Sequence, residues 1–166
     1  PSHIRQDSGS VGAVHRWGID RPCLYSIGNW RTPLGEIQID KELAQGILAA
    51  QPGLAADRPE AHDDEHSIEV QLPFIQYLYP QARILPIATP PTRNAVLLGR
   101  TTALVARQIG RQTVAIGSSD LTHYGPRYGF APVGVGEHAL TWMHENDARL
   151  LDLVVSLCAD EVIAEA

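Results

Sequence analysis

Long apolar runs are missing from this sequence. No stretch approaches the roughly 20 residues that a membrane-spanning helix needs. Nor does any N-terminal pattern have the charged, apolar and small-residue zones of a secretory signal. Lysine is scarce as well: Lys41 is the only one, the rest of the basic charge being arginine, and the net charge of −6 argues against nucleic acid and against anionic membrane surfaces as partners. Cysteine is limited to the isolated Cys23 and Cys158, which excludes a dense disulfide framework and favours a reducing cytoplasm. Internal repeats and low-complexity segments are absent. What remains has the composition of an ordinary globular protein, 44% hydrophobic and 19% charged. Its 166 residues suit one domain, 1–166, with a sizeable core. The chain opens on Pro1 rather than methionine and closes on a fresh helical turn from Asp160. Both ends are expected to be cut from a longer domain.

Strands alternate with helices along the chain, which gives an α/β fold with a largely parallel or mixed sheet flanked by helices. The Gly- and Ser-containing segment through Gly12 reads as loop, and Cys23 to Trp30 has mixed β character. Thr32-Pro33-Leu34-Gly35 is a turn, followed by a half-exposed strand in which Ile37 and Ile39 alternate with polar neighbours. Asp40 caps a helix from Lys41 to Ala50 that Gln51-Pro52-Gly53 ends. Gly53 to Ala61 is loop. A helix is expected from Asp64 and Glu65 onward, with Ile68, Leu72 and Ile75 on its inner side, kinked at Pro73. Ala82 to Ala88 is a strand in which Pro86 marks a bulge or an edge. A helix from Asn94 to Ile109 presents Leu97, Leu98, Leu104 and Val105, and Gly110 closes it. The run Thr113 to Ile116 reads as a buried parallel strand. A long helix from Glu137 to Cys158 carries the stripe Leu140, Met143, Leu150, Leu151, Val154 and Leu157.

The loop Gly117 to Gly125 follows that buried run, where ligands gather beyond the carboxyl ends of strands in open α/β sheets. It places Ser118, Ser119, Asp120, Thr122, His123 and Tyr124 side by side. Three kinds of chemistry fit parts of the chain. His62-x-x-Glu65-His66 matches the H-x-x-E-H pattern of zinc proteases, with Glu137 or Glu145 as a distant third ligand. Against it, Asp63 and Asp64 look like helix-start residues, which puts His62 before the helix and off its face. Serine hydrolysis fits poorly, because Leu121 stands where the second glycine of G-x-S-x-G belongs and four residues on one loop rarely form a triad. The third candidate draws His3, His66, Asp120 and His123 from several loops, a set suited to a divalent metal and to acid/base work.

The order of four segments resembles the Memo family, whose bacterial members are called AmmeMemoRadiSam system protein B. They are Pro1-Ser2-His3, Thr32-Pro33-Leu34-Gly35 with Asp40, Glu65-His66-Ser67 through Phe74, and Ser118-Ser119-Asp120-Leu121-Thr122-His123-Tyr124-Gly125. The resemblance runs from Pro1 to about Pro132. It implies a fold similar to the class III extradiol dioxygenases, which open catechol rings with non-haem Fe(II). His3 matches a metal ligand of that family, Asp120 and His123 match its pocket carboxylate and histidine, and His66 matches a second acid/base histidine. The family's P-H-A-G-Y motif has no counterpart here, and its C-G segment would fall after Ala166. Cys158 has no following glycine and reads as a core residue.

The resemblance therefore implies a dioxygenase-like, metal-binding pocket with His3 as ligand, His123, Asp120 and His66 as catalytic residues, and Fe(II), Cu or Zn as cofactor. With one of three expected ligands present, this stretch is expected to bind metal weakly and to catalyse poorly. An unpaired sheet edge left by the missing first strand is expected to promote self-association. A non-enzymatic module binding a peptide or small ligand is the alternative from a different class.

Overall fold

A computed structural model of the chain describes residues 6–12 and 18–165, with side chains from residue 18 onward. The chain divides into two compact units, Pro1–Ser119 and Asp120–Ala166.

The first unit is built on a mixed five-stranded sheet in the order β5-β2-β6-β1-β7. Its strands are β1 (Gln6–Gly12), β2 (Cys23–Leu24), β5 (Ala56–Asp57), β6 (Ile84–Ala88) and β7 (Gln112–Ser118). β1 runs parallel to both β6 and β7, and β2 is antiparallel to β6. A hairpin of β3 (Asn29–Thr32) and β4 (Gly35–Gln38) turns at Pro33-Leu34, where the Leu34 N–H donates to Thr32 Oγ1 at 3.0 Å.

β6 organises the packing because successive side chains of a strand point to opposite faces. Leu85 and Ile87 face one way and join Leu43, Ala44 and Ile47 of α1 (Lys41–Ala50) and Leu98 and Val105 of α3 (Arg93–Gln108). Ile84 faces the other way and joins Ile37 and Ile39 of the hairpin region with Ile68, Leu72 and Ile75. The last two residues belong to α2 (Leu72–Leu78). Asp40 starts α1 as expected, accepting from the Leu43 N–H at 3.0 Å, and its other oxygen accepts from Arg111 Nε at 3.0 Å. That carboxylate is 1% exposed, so the guanidinium offsets the cost of burying its charge. Gly46 lets α1 and α3 approach closely: a Cβ there would sit 2.5 Å from Val105 Cγ1.

Several expectations need correction. Gln6–Gly12, read as loop, is a central strand. Its glycines and serines carry no strand preference, so pairing on both sides decides its conformation. Pro86 is not at an edge, since β6 is the middle strand. Its carbonyl accepts from the Tyr25 N–H at 3.1 Å, beyond the end of β2, so the missing proline donor faces a side where the ladder has stopped. The helix expected from Asp64 begins only at Leu72, after a short 3₁₀ turn Glu69–Gln71. Pro73 therefore sits in a first turn, where it costs no hydrogen bond, and makes no kink. The loop Gly53 to Ala61 contains β5 and opens a 3₁₀ turn Pro59–His62. β7, expected to be buried, pairs among the described residues only with β1 and leaves Val114 54% exposed. On α3, Leu98, Thr101, Val105 and Ala106 are buried, whereas Leu97 and Leu104 are not.

The second unit holds the loop after β7, α4 (Glu137–Val155) and α5 (Ala159–Glu165). The expected single helix to Cys158 stops at Val155. Leu157, at φ 57°, adopts the left-handed conformation of a helix C-cap, and the Cys158 N–H reaches back to the Leu153 carbonyl at 2.9 Å. The stripe expected to be a core face is largely exposed, with Leu140 at 55% and Leu157 at 88%.

Candidate functional site

The loop between β7 and α4 is held from within the second unit. Thr122 is pinned by α4: its N–H and its hydroxyl both donate to Asp147 Oδ1, at 3.0 and 2.7 Å, and Asn146 Nδ2 donates to its Oγ1 at 2.9 Å. The two hydrogen bonds from Thr122 hold the Asp147 carboxyl below its ordinary range. Two residues on, the Tyr124 hydroxyl donates to the Gly134 carbonyl at 2.7 Å, while its ring meets Phe130 and Trp142 edge-on or tilted at 6.2 and 5.8 Å. Gly125, at φ 112°, takes a conformation open to glycine and closes a bridge to Phe130.

His123 stands between these anchors, and Asp120 lies two residues before the first of them. Asp120 Oδ2 lies 3.7 Å from His123 Nε2, too far for a hydrogen bond but within ion-pair reach. The imidazole lies flat on Tyr128, with centroids 4.9 Å apart and planes 11° apart. Both members of the pair are half-exposed, so a ligand can reach them.

His66 belongs to the first unit. It precedes the 3₁₀ turn instead of starting a helix, and its side chain is 70% exposed. Its Nδ1 lies 3.9 Å from Oε1 of Glu65, a buried carboxylate that also accepts from the Ser67 N–H at 2.9 Å. His3, the expected metal ligand, lies outside the described residues. Among the described residues no three His, Cys, Asp or Glu side chains are grouped to hold a metal ion.

The H-x-x-E-H reading loses its geometric basis. His62 ends the Pro59–His62 turn and is 7% exposed, so it shares no helix face with the exposed His66. Its Nε2 lies 3.2 Å from the Cys23 carbonyl, and its ring meets Tyr25 and Trp30 edge-on at 5.8 and 5.7 Å. Burial lowers its pKa, partly opposed by the bond to Cys23. The same ring lines an open cleft of about 300 Å³ with Tyr25, Trp30, Glu65 and Glu69. A second cleft, about 190 Å³ between α3 and strands β6 and β7, has no titratable side chain in its wall. Cys23 and Cys158 are free thiols, the first fully buried and with its pKa raised by desolvation, which makes it inert packing.

Sequence reasoning located the Asp120–His123 loop but missed what fixes it. Tyr128, Asn146 and Asp147 had no local signal, because their partners lie on other elements.

The mixed sheet flanked by helices, with a Ser-Ser-Asp-x-x-His loop following β7, places the chain in the α/β class. Within that class the chain belongs to the Memo-like protein family, whose model matches residues 10–165. Among similar proteins, a MEMO1 family protein of Thermococcus onnurineus is 46% identical over 122 residues, which is 69% of this chain and 42% of the relative. MEMO1 family proteins of Thermococcus kodakarensis and Pyrococcus horikoshii are 46% and 36% identical, covering 87% and 89% of this chain and 54% and 53% of their own lengths. The chain thus spans about half the length of the curated relatives it matches.

Proposed function

We propose that this chain contributes an acid/base pair, Asp120 and His123, to a Memo-like pocket of the AmmeMemoRadiSam system protein B type, related in fold to the class III extradiol dioxygenases. The observation that carries the reading is the 3.7 Å approach of Asp120 to His123 on a loop clamped by α4. With Asp120 facing Nε2, the other ring nitrogen is left to exchange a proton with a bound hydroxyl group. Asp120 stabilises the imidazolium that results, and Tyr128 keeps the ring plane fixed. A divalent metal would supply redox chemistry if it were Fe(II) or Cu, and Lewis-acid chemistry if it were Zn. The described residues do not by themselves make a three-ligand site for it, so no step is assigned to it. His3 is proposed as a ligand and His66, next to the buried Glu65, as a second acid/base group. The free thiols suit a reducing cytoplasm. No helix among the described residues is long and apolar enough to cross a membrane.

A second reading, a non-enzymatic module for a peptide or small ligand, is favoured by the open cleft beside His62, which needs no metal to be useful. Oxygen uptake by the protein with Fe(II), using catechol as probe, separates the two. Slow uptake above that of Fe(II) alone supports the first reading. Uptake no faster than Fe(II) alone, together with ligand binding that is indifferent to metal, supports the second.

A further inference from the structure

We propose that the cleft walled by His62, Tyr25 and Trp30 is a binding site for a small organic ammonium ion, one that carries N–H donors. The argument starts from a tautomer. His62 Nε2 lies 3.2 Å from the Cys23 carbonyl, and a carbonyl only accepts, so Nε2 bears the ring proton. Nδ1 is then a bare acceptor. It is shielded from water, it belongs to a side chain 7% exposed, and no donor among the described residues reaches it. A buried acceptor left unmatched is unfavourable, so a donor supplied from outside is favoured there.

The cleft decides what that donor is. Beyond the aromatic rings its wall carries, among the described residues, Asp63, Glu65 and Glu69 against a single cation, Arg31. Three carboxylates and one guanidinium select a positive ligand. Aromatic rings add to that selection, since their faces attract cations. A metal ion is the poorer occupant, because no three ligating side chains converge among the described residues. An ammonium group needs no such convergence: one N–H meets Nδ1, and the charge faces the carboxylates and the rings. Tyr25 and Trp30 are both half-buried, and binding at Nδ1 requires the Trp30 ring edge to move aside. The opening, about 300 Å³, admits an alkylamine rather than a peptide helix. This site stands or falls independently of the Asp120–His123 pair.

The test is titration of ¹⁵N-labelled protein at pH 8 with n-propylammonium chloride, at constant ionic strength, following the imidazole nitrogens by NMR. Tetramethylammonium, which has charge without N–H, and n-propanol, which has a donor without charge, are the comparison probes. The expected result is a saturable upfield shift of His62 Nδ1 with n-propylammonium and at least tenfold weaker binding of the other two. His62→Phe should abolish the binding, and Glu69→Gln should weaken it about threefold. Should His62→Phe fail to fold, the ¹⁵N shift in the unaltered protein still decides. The proposal is overturned if all three probes bind alike, if none moves His62 Nδ1, or if His62→Phe folds and retains its affinity.

Discussion

The two units treat the apolar faces of their helices differently. In the first, Leu43, Ala44 and Ile47 of α1 lie against β6 and α3 and are at most 1% exposed. In the second, α4 buries Ala139, while Val154 and Val155 stay 51% and 81% exposed. Both helices show apolar residues at helical spacing. That spacing identifies a face, but it carries no information on whether anything packs against it. Stability should therefore be concentrated in the first unit, and chemistry on the Asp120–His123 loop should rest on hydrogen bonds rather than on a deep core.

The sharpest way to break this comparison is truncation. Ile47→Ala should cost about 2–4 kcal/mol of unfolding free energy, since it removes methyls from a closed core, whereas Val154→Ala should stay within about 0.5 kcal/mol. Denaturant melts of both variants check this, and equal losses would show that α4 has a covered core of its own.

Next in size is Gly46→Ala. Helix propensity alone favours alanine by about 1 kcal/mol. The 2.5 Å contact with Val105 Cγ1 opposes it, because a β-branched side chain cannot swing away. Overpacking of this kind costs about 1–3 kcal/mol, so a net fall in Tm is expected, and the added penalty should vanish in a Val105→Ala background.

The buried His62 gives a pH signature. Its folded-state pKa is lowered, so below the unfolded value of about 6.5 the unfolded chain takes up a proton that the native chain does not. Stability from this residue is therefore full above about pH 6.5 and is lost as pH falls towards the folded-state value. His62→Gln, which keeps a donor for the Cys23 carbonyl, should flatten the decline below about pH 6.5. Thermal melts across that window measure it.

The smallest effect is expected in the second unit. Leu157 sits at φ 57° and is 88% exposed, so Leu157→Gly relieves left-handed strain without losing packing. A gain of about 0.5 kcal/mol is expected, and a loss would mean that the leucine packs in solution.

How much of this was legible follows from where each signal lies. The cap at Asp40, the Gln51-Pro52-Gly53 stop and the Pro33-Leu34 turn are local, and all three were read correctly. β1 was not, because a strand of glycine and serine is defined by its neighbours and not by its own residues. Pro86 misled because the rule against central prolines assumes a full ladder on both sides, and β2 is two residues long. The late start of α2 reflects a 3₁₀ turn that shares the apolar spacing of an α-helix over so short a run. For the site, the Asp120–His123 loop stood out through its composition. The grip of Asp147 on Thr122 did not, because a contact across 25 residues leaves no mark in either segment.

The central claim is that Asp120 and His123 act on a bound ligand as one acid/base unit. The direct measurement is steady-state oxygen uptake with Fe(II) and catechol by the unaltered protein, His123→Gln and Asp120→Asn. The account predicts that kcat falls about a hundredfold or more in His123→Gln. It predicts a smaller fall in Asp120→Asn, with KM changed little in either. Turnover that survives His123→Gln at the original kcat would contradict it.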